Sequence, residues 1–313
     1  MVEREGAGSG VPEGDHALAG ELAGELAGRA GSLLLGVREE LGFSDVRALK
    51  DTGDLRAHEY LMDALARRRP GDAVLSEEGR ASVAAKSATA VAMDGPPTGN
   101  TDESVRLSAS RVWIIDPLDG TREFAEEGRR DWAVHVALWE AEGEGRLAAG
   151  AVALPAQGLT LRTAPQGAVV TGTGEDGRPF ERPLRLTPPA AGRLRIAVSR
   201  SRPPEFLRAL AGRLGAAGTE VELVPIGSAG AKIAAVLLGE VDAYVHAGGQ
   251  YEWDSAAPVA VALAAGAHAS RIDGATLAYN QKDPRLPDIV VCHPVSASTL
   301  LTGIRDVTAA PPG

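Results

Sequence analysis

The sequence predicts an α/β protein with an α+β N-terminal half and an α/β C-terminal half. Three observations support this fold class. A periodic stripe of leucines opens the chain, short strand-like runs crowd residues 111–162, and strands alternate with helices after residue 190. The length of 313 residues also exceeds the size of about 250–300 residues at which one hydrophobic core usually stops growing. We therefore expect two domains, residues 15–190 and 191–313, behind a disordered Gly/Glu-rich tail at residues 1–14.

The N-terminal half begins with helices. From Leu18 onward, leucine recurs at nearly every fourth residue, which predicts a helix over residues 15–41. Its glycines weaken it by about 1 kcal/mol each relative to alanine. A second helix is expected over residues 55–69, where a Pro-Gly pair ends it. The apolar run 73–75 then predicts a short strand that leads into two glutamates.

Residues 79–110 are rich in Ala, Ser, Thr and Gly and contain no aromatic side chain. They are predicted to form a flexible excursion with room for a short helix. Both a surface loop and a mobile flap near the cleft remain open for this segment. The excursion is followed by strands at residues 111–115, 132–139, 147–154 and 158–162, with turn residues between them.

The C-terminal half alternates strands with helices, which indicates helices packed on a sheet. Strands are expected at residues 195–199, 221–225, 241–246 and 289–292, and helices at residues 204–214, 228–238 and 254–265.

Composition limits the function classes. The formal net charge of −10 argues against a nucleic-acid polymer as partner, because non-specific binding to it needs a basic surface. A small anionic substrate is compatible, since bound cations invert the local sign. The single cysteine, Cys292, excludes an internal disulfide and is predicted to be a buried core residue. No apolar run reaches about 18 residues and no signal peptide opens the chain, so we expect a cytoplasmic protein without a membrane partner.

The segment with the clearest chemistry follows the strand at residues 111–115. Two carboxylates, Asp116 and Asp119, are separated by Pro117 and Leu118. Oxygen ligands this close together suit a hard divalent cation such as Mg²⁺. Gly120 and Thr121 come next and are typical of a turn into a helix, whose free N–H groups face an anion. Metal ligands beside a phosphate cradle indicate phosphoryl chemistry.

Two further acidic positions also follow apolar runs, namely Glu77 with Glu78, and Asp254 within the segment 251–257. Each has an ordinary structural interpretation when taken alone. The glutamates suit a solvated turn, and Asp254 before an Ala-rich run suits a helix N-cap.

Taken together, the three clusters resemble the Mg²⁺-dependent, lithium-sensitive phosphatase superfamily that includes inositol monophosphatases and fructose-1,6-bisphosphatases. The order of the clusters agrees, and the similarity spans about residues 18–294. Within this superfamily the chain most resembles the CysQ-type 3′(2′),5′-bisphosphate nucleotidases, because of its Arg122-Glu123-Phe124 ending and the segments 199–201, 227–232 and 248–254. The resemblance implies a layered αβαβα sandwich.

The resemblance also implies the metal ligands. Glu77, Asp116 and the Leu118 carbonyl would hold one Mg²⁺, and Asp116, Asp119 and Asp254 a second, with two or three ions per site and inhibition by Li⁺. Two ions about 3.5–4 Å apart activate a water and stabilise the leaving oxygen.

The remaining roles follow from the same resemblance. Thr121 and Asp54 would orient and deprotonate the water, although Asp54 also suits an N-cap of the second helix. The segment 50–54 is shorter than the family pattern, which leaves its register open. Gly120 and Thr121 would donate backbone N–H groups to the phosphate. Substrate contacts are expected from the following residues: Ser199, Arg200, Ser201, Ser228, Lys232 and Asp254. Ser228 is also a helix cap by pattern, and Arg200 a solvated loop residue.

The expected function is a Mg²⁺-dependent phosphomonoesterase that removes the 3′-phosphate from adenosine 3′,5′-bisphosphate, and from 3′-phosphoadenylyl sulfate, in sulfur assimilation. An inositol-1-phosphate or fructose-1,6-bisphosphate phosphatase with the same metals is the alternative within the superfamily. A non-catalytic nucleotide- or Mg²⁺-binding module is the alternative from another class. Family resemblance suggests a homodimer, but no interface is readable in the sequence.

Overall fold

The computed structural model describes residues 13–79, 100–201 and 203–309. Most of the tail expected at residues 1–14 and most of the excursion expected at residues 79–110 lie outside these ranges. The first half contains α1 (Glu13–Leu41), α2 (Val46–Arg68), β1 (Ala73–Ser76), α3 (Glu103–Ser108), β2 (Arg111–Asp119), α4 (Thr121–Phe124), β3 (Ala133–Glu140), β4 (Arg146–Leu154), β5 (Leu159–Ala164), β6 (Gly167–Thr173) and β7 (Pro179–Pro183). The second contains β8 (Arg193–Ser199), α5 (Phe206–Ala216), β9 (Glu220–Ile226), α6 (Ala229–Leu237), β10 (Ala243–Tyr251), α7 (Glu252–Ala264), β11 (His268–Ser270), β12 (Arg285–Cys292) and α8 (Pro294–Thr308).

Two sheets organise these elements. The first has seven strands in the order β1 to β7, with β1 parallel to β2 and all later pairs antiparallel. The second has five strands in the order β11-β12-β10-β8-β9. Helices α1 and α2 cover the outer face of the first sheet, α6 and α7 lie between the sheets, and α5 and α8 cover the second. The expected αβαβα sandwich is therefore confirmed.

The glycines of α1 have a packing role that the helical pattern does not reveal. A Cβ atom on Gly20 would lie 2.5 Å from the Thr163 carbonyl oxygen of β5, and one on Gly31 would lie 2.5 Å from Pro155. The glycines thus let the helix backbone approach the sheet closely. This contact offsets the lower helix propensity of glycine.

Several elements differ from the sequence prediction. Helix α2 begins at Val46 with Asp45 as its N-cap, so the expected N-cap role of Asp54 is wrong and that residue lies inside the helix. The strands β6, β7 and β11 and the helix α8 were not predicted. Cys292 is buried on β12, as expected. None of the helices in the described ranges is long and apolar enough to cross a membrane.

Candidate active site

The carboxylates meet where β1 and β2 end and α7 begins. Pairing between β2 and β3 is regular up to Asp116 opposite His135, shifts register, and resumes at Asp119 opposite Ala133. This irregularity turns both aspartates toward the space between the two sheets. The Asp116 Oδ1 atom accepts a hydrogen bond from the Leu118 N–H at 3.0 Å. Its Oδ2 atom is buried and receives no hydrogen bond from any described residue.

Asp254 completes the cluster from the other half of the chain. One carboxylate oxygen from each of Asp116, Asp119 and Asp254 lies within 4.8 Å of the others. Asp254 sits in the first turn of α7, where its Oδ2 atom accepts from the Tyr251 N–H at 2.6 Å. Glu77 is not part of this group of three but follows β1, and its carboxyl group interacts with that of Asp116.

The cluster carries more negative charge than its surroundings neutralise. Burial raises the pKa values of Asp116, Asp254 and Glu77, and the neighbouring carboxylates raise them further. Asp119 is more fully bonded: it accepts from the Gly230 N–H at 2.7 Å and from the Ser228 hydroxyl. Four clustered carboxylates with one bare buried oxygen fit a hard divalent cation, which supplies the missing positive charge and uses oxygen ligands.

The turn after Asp119 has a backbone that favours glycine. Gly120 has a φ of 87°, in the left-handed region, and a Cβ there would lie 3.1 Å from the Ser228 Cβ. The helix α4 that follows is a single turn. The Thr121 hydroxyl donates to the Leu118 carbonyl at 3.2 Å.

Asp54 reaches this turn from α2. Burial raises its pKa to about 7, the charge of Glu78 adds to that effect, and a hydrogen bond with Thr121 opposes it. The neighbouring Gly53 allows the approach, because a Cβ there would lie only 2.7 Å from the Phe124 ring. The structure therefore brings Asp54 and Thr121 together, and it places residues 50–54 in regular helix.

The predicted substrate contacts line a cavity of about 160 Å³ beside Asp119 and Asp254. It includes Ser199, Arg200, Ser201, Gly120, Ser228 and Lys232. Ser228 caps α6 by accepting from the Ala231 N–H at 3.0 Å, so its predicted capping role is confirmed. The buried Lys232 ammonium donates to the carbonyls of Gly227 and Ser228 at 2.6 and 2.8 Å. Burial lowers its pKa.

Arg200 is not a solvated loop side chain. Its guanidinium bonds Glu123 and Glu126 of the other half of the chain, at closest distances of 2.9 and 2.7 Å. Backbone geometry supports this placement, since the Arg200 N–H donates to the Ile226 carbonyl at 3.3 Å.

Sequence reasoning missed His135 as a neighbour of the cluster. Its Nε2 atom lies 3.3 Å from the Asp119 Oδ2 atom, and its Nδ1 atom bonds the Trp253 carbonyl at 3.0 Å. Burial lowers the pKa of this imidazole. The available clue was a lone ionisable ring at the centre of the apolar strand β3, whose residues are all buried.

Comparison with known proteins gives a consistent result. The model of the inositol monophosphatase family matches residues 19–307. The 3′-phosphoadenosine 5′-phosphate phosphatase of Mycobacterium leprae is 49% identical over 292 residues, covering 91% of this chain and 93% of that protein. The 3′(2′),5′-bisphosphate nucleotidase CysQ of Escherichia coli K12 is 30% identical over 264 residues, covering 83% and 93%. The structure of CysQ from Bacteroides thetaiotaomicron superimposes with a TM-score of 0.69 at 25% identity, covering 88% and 97%.

Proposed function

Because the chain belongs to the inositol monophosphatase family, we propose that it is a Mg²⁺-dependent phosphatase that removes the 3′-phosphate from adenosine 3′,5′-bisphosphate. The same reaction would convert 3′-phosphoadenylyl sulfate to adenylyl sulfate and phosphate. The substrate is supported by relatives named as 3′-phosphoadenosine 5′-phosphate phosphatases at 47–49% identity. The chemistry is supported by one structural observation, the three carboxylates whose oxygens lie within 4.8 Å of one another.

The residues assigned to metal binding are Glu77, Asp116, the Leu118 carbonyl, Asp119 and Asp254. The family resemblance assigns Asp116 to both ions, and its Oδ2 atom, buried without a hydrogen bond from the described residues, would be available to a cation. Bound Mg²⁺ would supply an acidified water and charge stabilisation for the phosphoryl oxygens. Two or three ions and sensitivity to Li⁺ are part of the proposal.

The chain's own residues would position and move the protons. Asp54 would accept the Thr121 hydroxyl proton as that hydroxyl takes the proton of the attacking water, and a pKa of about 7 suits a base that works near neutral pH. The leaving 3′-oxygen would then take up a proton from solvent. The N–H groups of Gly120 and Thr121 would donate to the phosphate at the start of α4, where Gly120 adopts the left-handed turn. Lys232 supplies a positive charge to the non-reacting phosphate from within the cavity.

A second candidate is an inositol-phosphate or fructose-bisphosphate phosphatase, and the match of the inositol monophosphatase family model supports the inositol-phosphate activity. The carboxylate cluster is compatible with either substrate. A non-catalytic module is disfavoured because the carboxylates and the threonine are all present.

The test is phosphate release with Mg²⁺ from adenosine 3′,5′-bisphosphate, inositol 1-phosphate and fructose 1,6-bisphosphate at matched concentrations. We expect a clear preference for the nucleotide and no release after chelation of the metal. Comparable rates would replace the nucleotide assignment with a broad phosphatase. No release from any substrate would restore the binding-module alternative. A homodimer and a cytoplasmic location are proposed alongside, and size-exclusion chromatography tests the first.

A further inference from the structure

Two cations line the cavity beside the carboxylates, and they have different partners. Lys232 donates to backbone carbonyls and forms no ion pair within the part of the chain that the structure describes. Arg200 uses its guanidinium for four hydrogen bonds to Glu123 and Glu126, over distances of 2.7–3.3 Å. Those bonds raise the pKa of Arg200 above its ordinary value. We call this arrangement the Glu123–Arg200–Glu126 clasp.

The two glutamates of the clasp are unequal. The Glu126 side chain is 47% exposed, whereas that of Glu123 is only 8% exposed and lines the same cavity as Asp119 and Asp254. A buried carboxylate beside other carboxylates is costly unless a cation faces it. Without Arg200, the negative charge of Glu123 would repel an anionic substrate that enters the cavity.

Glu123 also contacts the loop before α6, and this loop and the first turn of α6 donate hydrogen bonds to Asp119, one of the proposed metal ligands. A Cβ on Gly227 would lie 2.4 Å from the Glu123 Cγ, so this loop packs directly on the glutamate. The Gly227 N–H donates to the Asp131 Oδ2 atom at 2.6 Å. Ser228 follows in the loop and its hydroxyl bonds Asp119. The clasp therefore connects α4, the end of β8 and the loop before α6 at the mouth of the cleft.

We propose that Arg200 acts as a positioning residue that neutralises Glu123 and joins the two halves of the chain, and that it does not itself bind a substrate phosphate. This inference rests on the proposed function, because the substrate is taken to be an anion held in this cavity. It assigns a role to the glutamate of the Arg122-Glu123-Phe124 ending. It also reverses the expected direct contact of Arg200 with the substrate.

The deciding experiment compares Arg200→Ala, Glu123→Gln and the double variant with the wild type. We measure KM and kcat for adenosine 3′,5′-bisphosphate with Mg²⁺. Arg200→Ala should raise KM on the order of tenfold, because it leaves a buried charge unpaired. Adding Glu123→Gln should restore KM to within about threefold of the wild type, since the repelling charge is then absent. A phosphate-binding arginine predicts the opposite, because its contact is lost whether or not Glu123 is charged.

A conservative variant separates charge from geometry. Arg200→Lys keeps the positive charge but loses the planar fork that holds a phosphate with two parallel bonds. We expect a KM within about threefold of the wild type, because the lysine charge still offsets that of Glu123. A KM for Arg200→Lys as high as that of Arg200→Ala would overturn the neutralising role. Arg193→Ala at the start of β8 is the control, since it removes an exposed ion pair with Glu222 away from the cavity, and its KM should not change.

Thermal unfolding of the wild type, Arg200→Ala, Glu123→Gln and the double variant tests the clasp independently of catalysis. The effects of Arg200→Ala and Glu123→Gln on the melting temperature should be non-additive, because each removes the same ion pair. Additive effects would show that the clasp does not form in solution. If the wild type releases no phosphate, the proposed function fails, while the unfolding cycle still decides whether the clasp exists.

Discussion

Carboxylates in the cleft and carboxylates of the five-stranded sheet meet opposite surroundings. In the cleft, burial and neighbouring carboxylates raise the pKa of Asp116. In the sheet, burial also acts on Asp288, but hydrogen bonds from Arg271 at 2.6 and 2.7 Å and from the Ile272 N–H hold its pKa below the ordinary value. The same type of side chain therefore opposes folding in one place and supports it in the other. Such a cost, concentrated in a cavity, is typical of a functional site.

Asp116→Asn is the variant for which this comparison predicts the largest change in activity. Activity should fall by about 10³-fold or more, because the carboxylate proposed to be shared between two ions is lost. In metal-free protein near pH 8, the same change should increase the free energy of unfolding, since a buried and repelled charge is removed. The measurements are phosphate release with Mg²⁺ and chemical denaturation with EDTA. Wild-type turnover would refute the metal assignment, and a lower stability would contradict the unpaired charge.

Asp288→Asn is the matched change in the sheet and should have the opposite profile. It should reduce the free energy of unfolding by about 1–3 kcal/mol, because Arg271 loses its charged partner in a partly buried pair. Values of kcat and KM at a temperature well below the unfolding transition should match the wild type. A stability equal to that of the wild type would show that the pair contributes nothing. A selective loss of kcat would link this edge of the sheet to the active site.

The pH dependence of stability extends the comparison to Asp54. Its pKa is about 7 in the folded protein and about 4 in an unfolded chain, so the folded state binds more protons between these values. The free energy of unfolding contributed by this group is therefore highest below about pH 4 and falls as the pH rises to about 7. Asp288, whose pKa is lowered, contributes in the reverse direction and loses its effect as the pH falls through its folded value.

This difference can be measured by denaturation of EDTA-treated protein at several pH values. Asp54→Asn should reduce the fall in stability between pH 5 and 7, each pKa unit being worth about 1.4 kcal/mol. Asp288→Asn should leave that interval unchanged. An identical slope in wild type and Asp54→Asn would mean that Asp54 titrates normally.

Two glycines on the N-terminal helices give the smallest and most local test. Gly53→Ala would place a methyl group 2.7 Å from the Phe124 ring, which should displace α2 and separate Asp54 from Thr121. We expect kcat to fall severalfold. Gly36→Ala is the control in α1, where a Cβ meets nothing within 4 Å, and it should stabilise the protein by about 0.5–1 kcal/mol. An unchanged kcat in Gly53→Ala would show that the close packing of α2 on Phe124 is not needed to hold Asp54 beside Thr121.

Much of the fold was predictable from local patterns. The leucine stripe determined α1, and the alternation of strands and helices after residue 190 determined the α/β character of the second half. The start of α2 was not predictable, because Asp45 and Asp54 both satisfy the N-cap pattern, and only the structure shows that Asp45 accepts from the Ala48 N–H. The short edge strand β11 has three residues and too little pattern to detect.

Local sequence patterns were enough to identify the order of the acidic motifs, the glycine turn after Asp119 and the family to which the chain belongs. Each of these motifs consists of residues that are neighbours in the sequence, so it can be recognised without the fold. The family resemblance already implied that Asp254 joins Asp116, whereas only the folded structure reveals the contacts of His135 with Asp119 and of Arg200 with Glu123. The physical reason is that a side chain's charge is a local property, whereas its partner depends on where strand ends and helix starts converge in the fold.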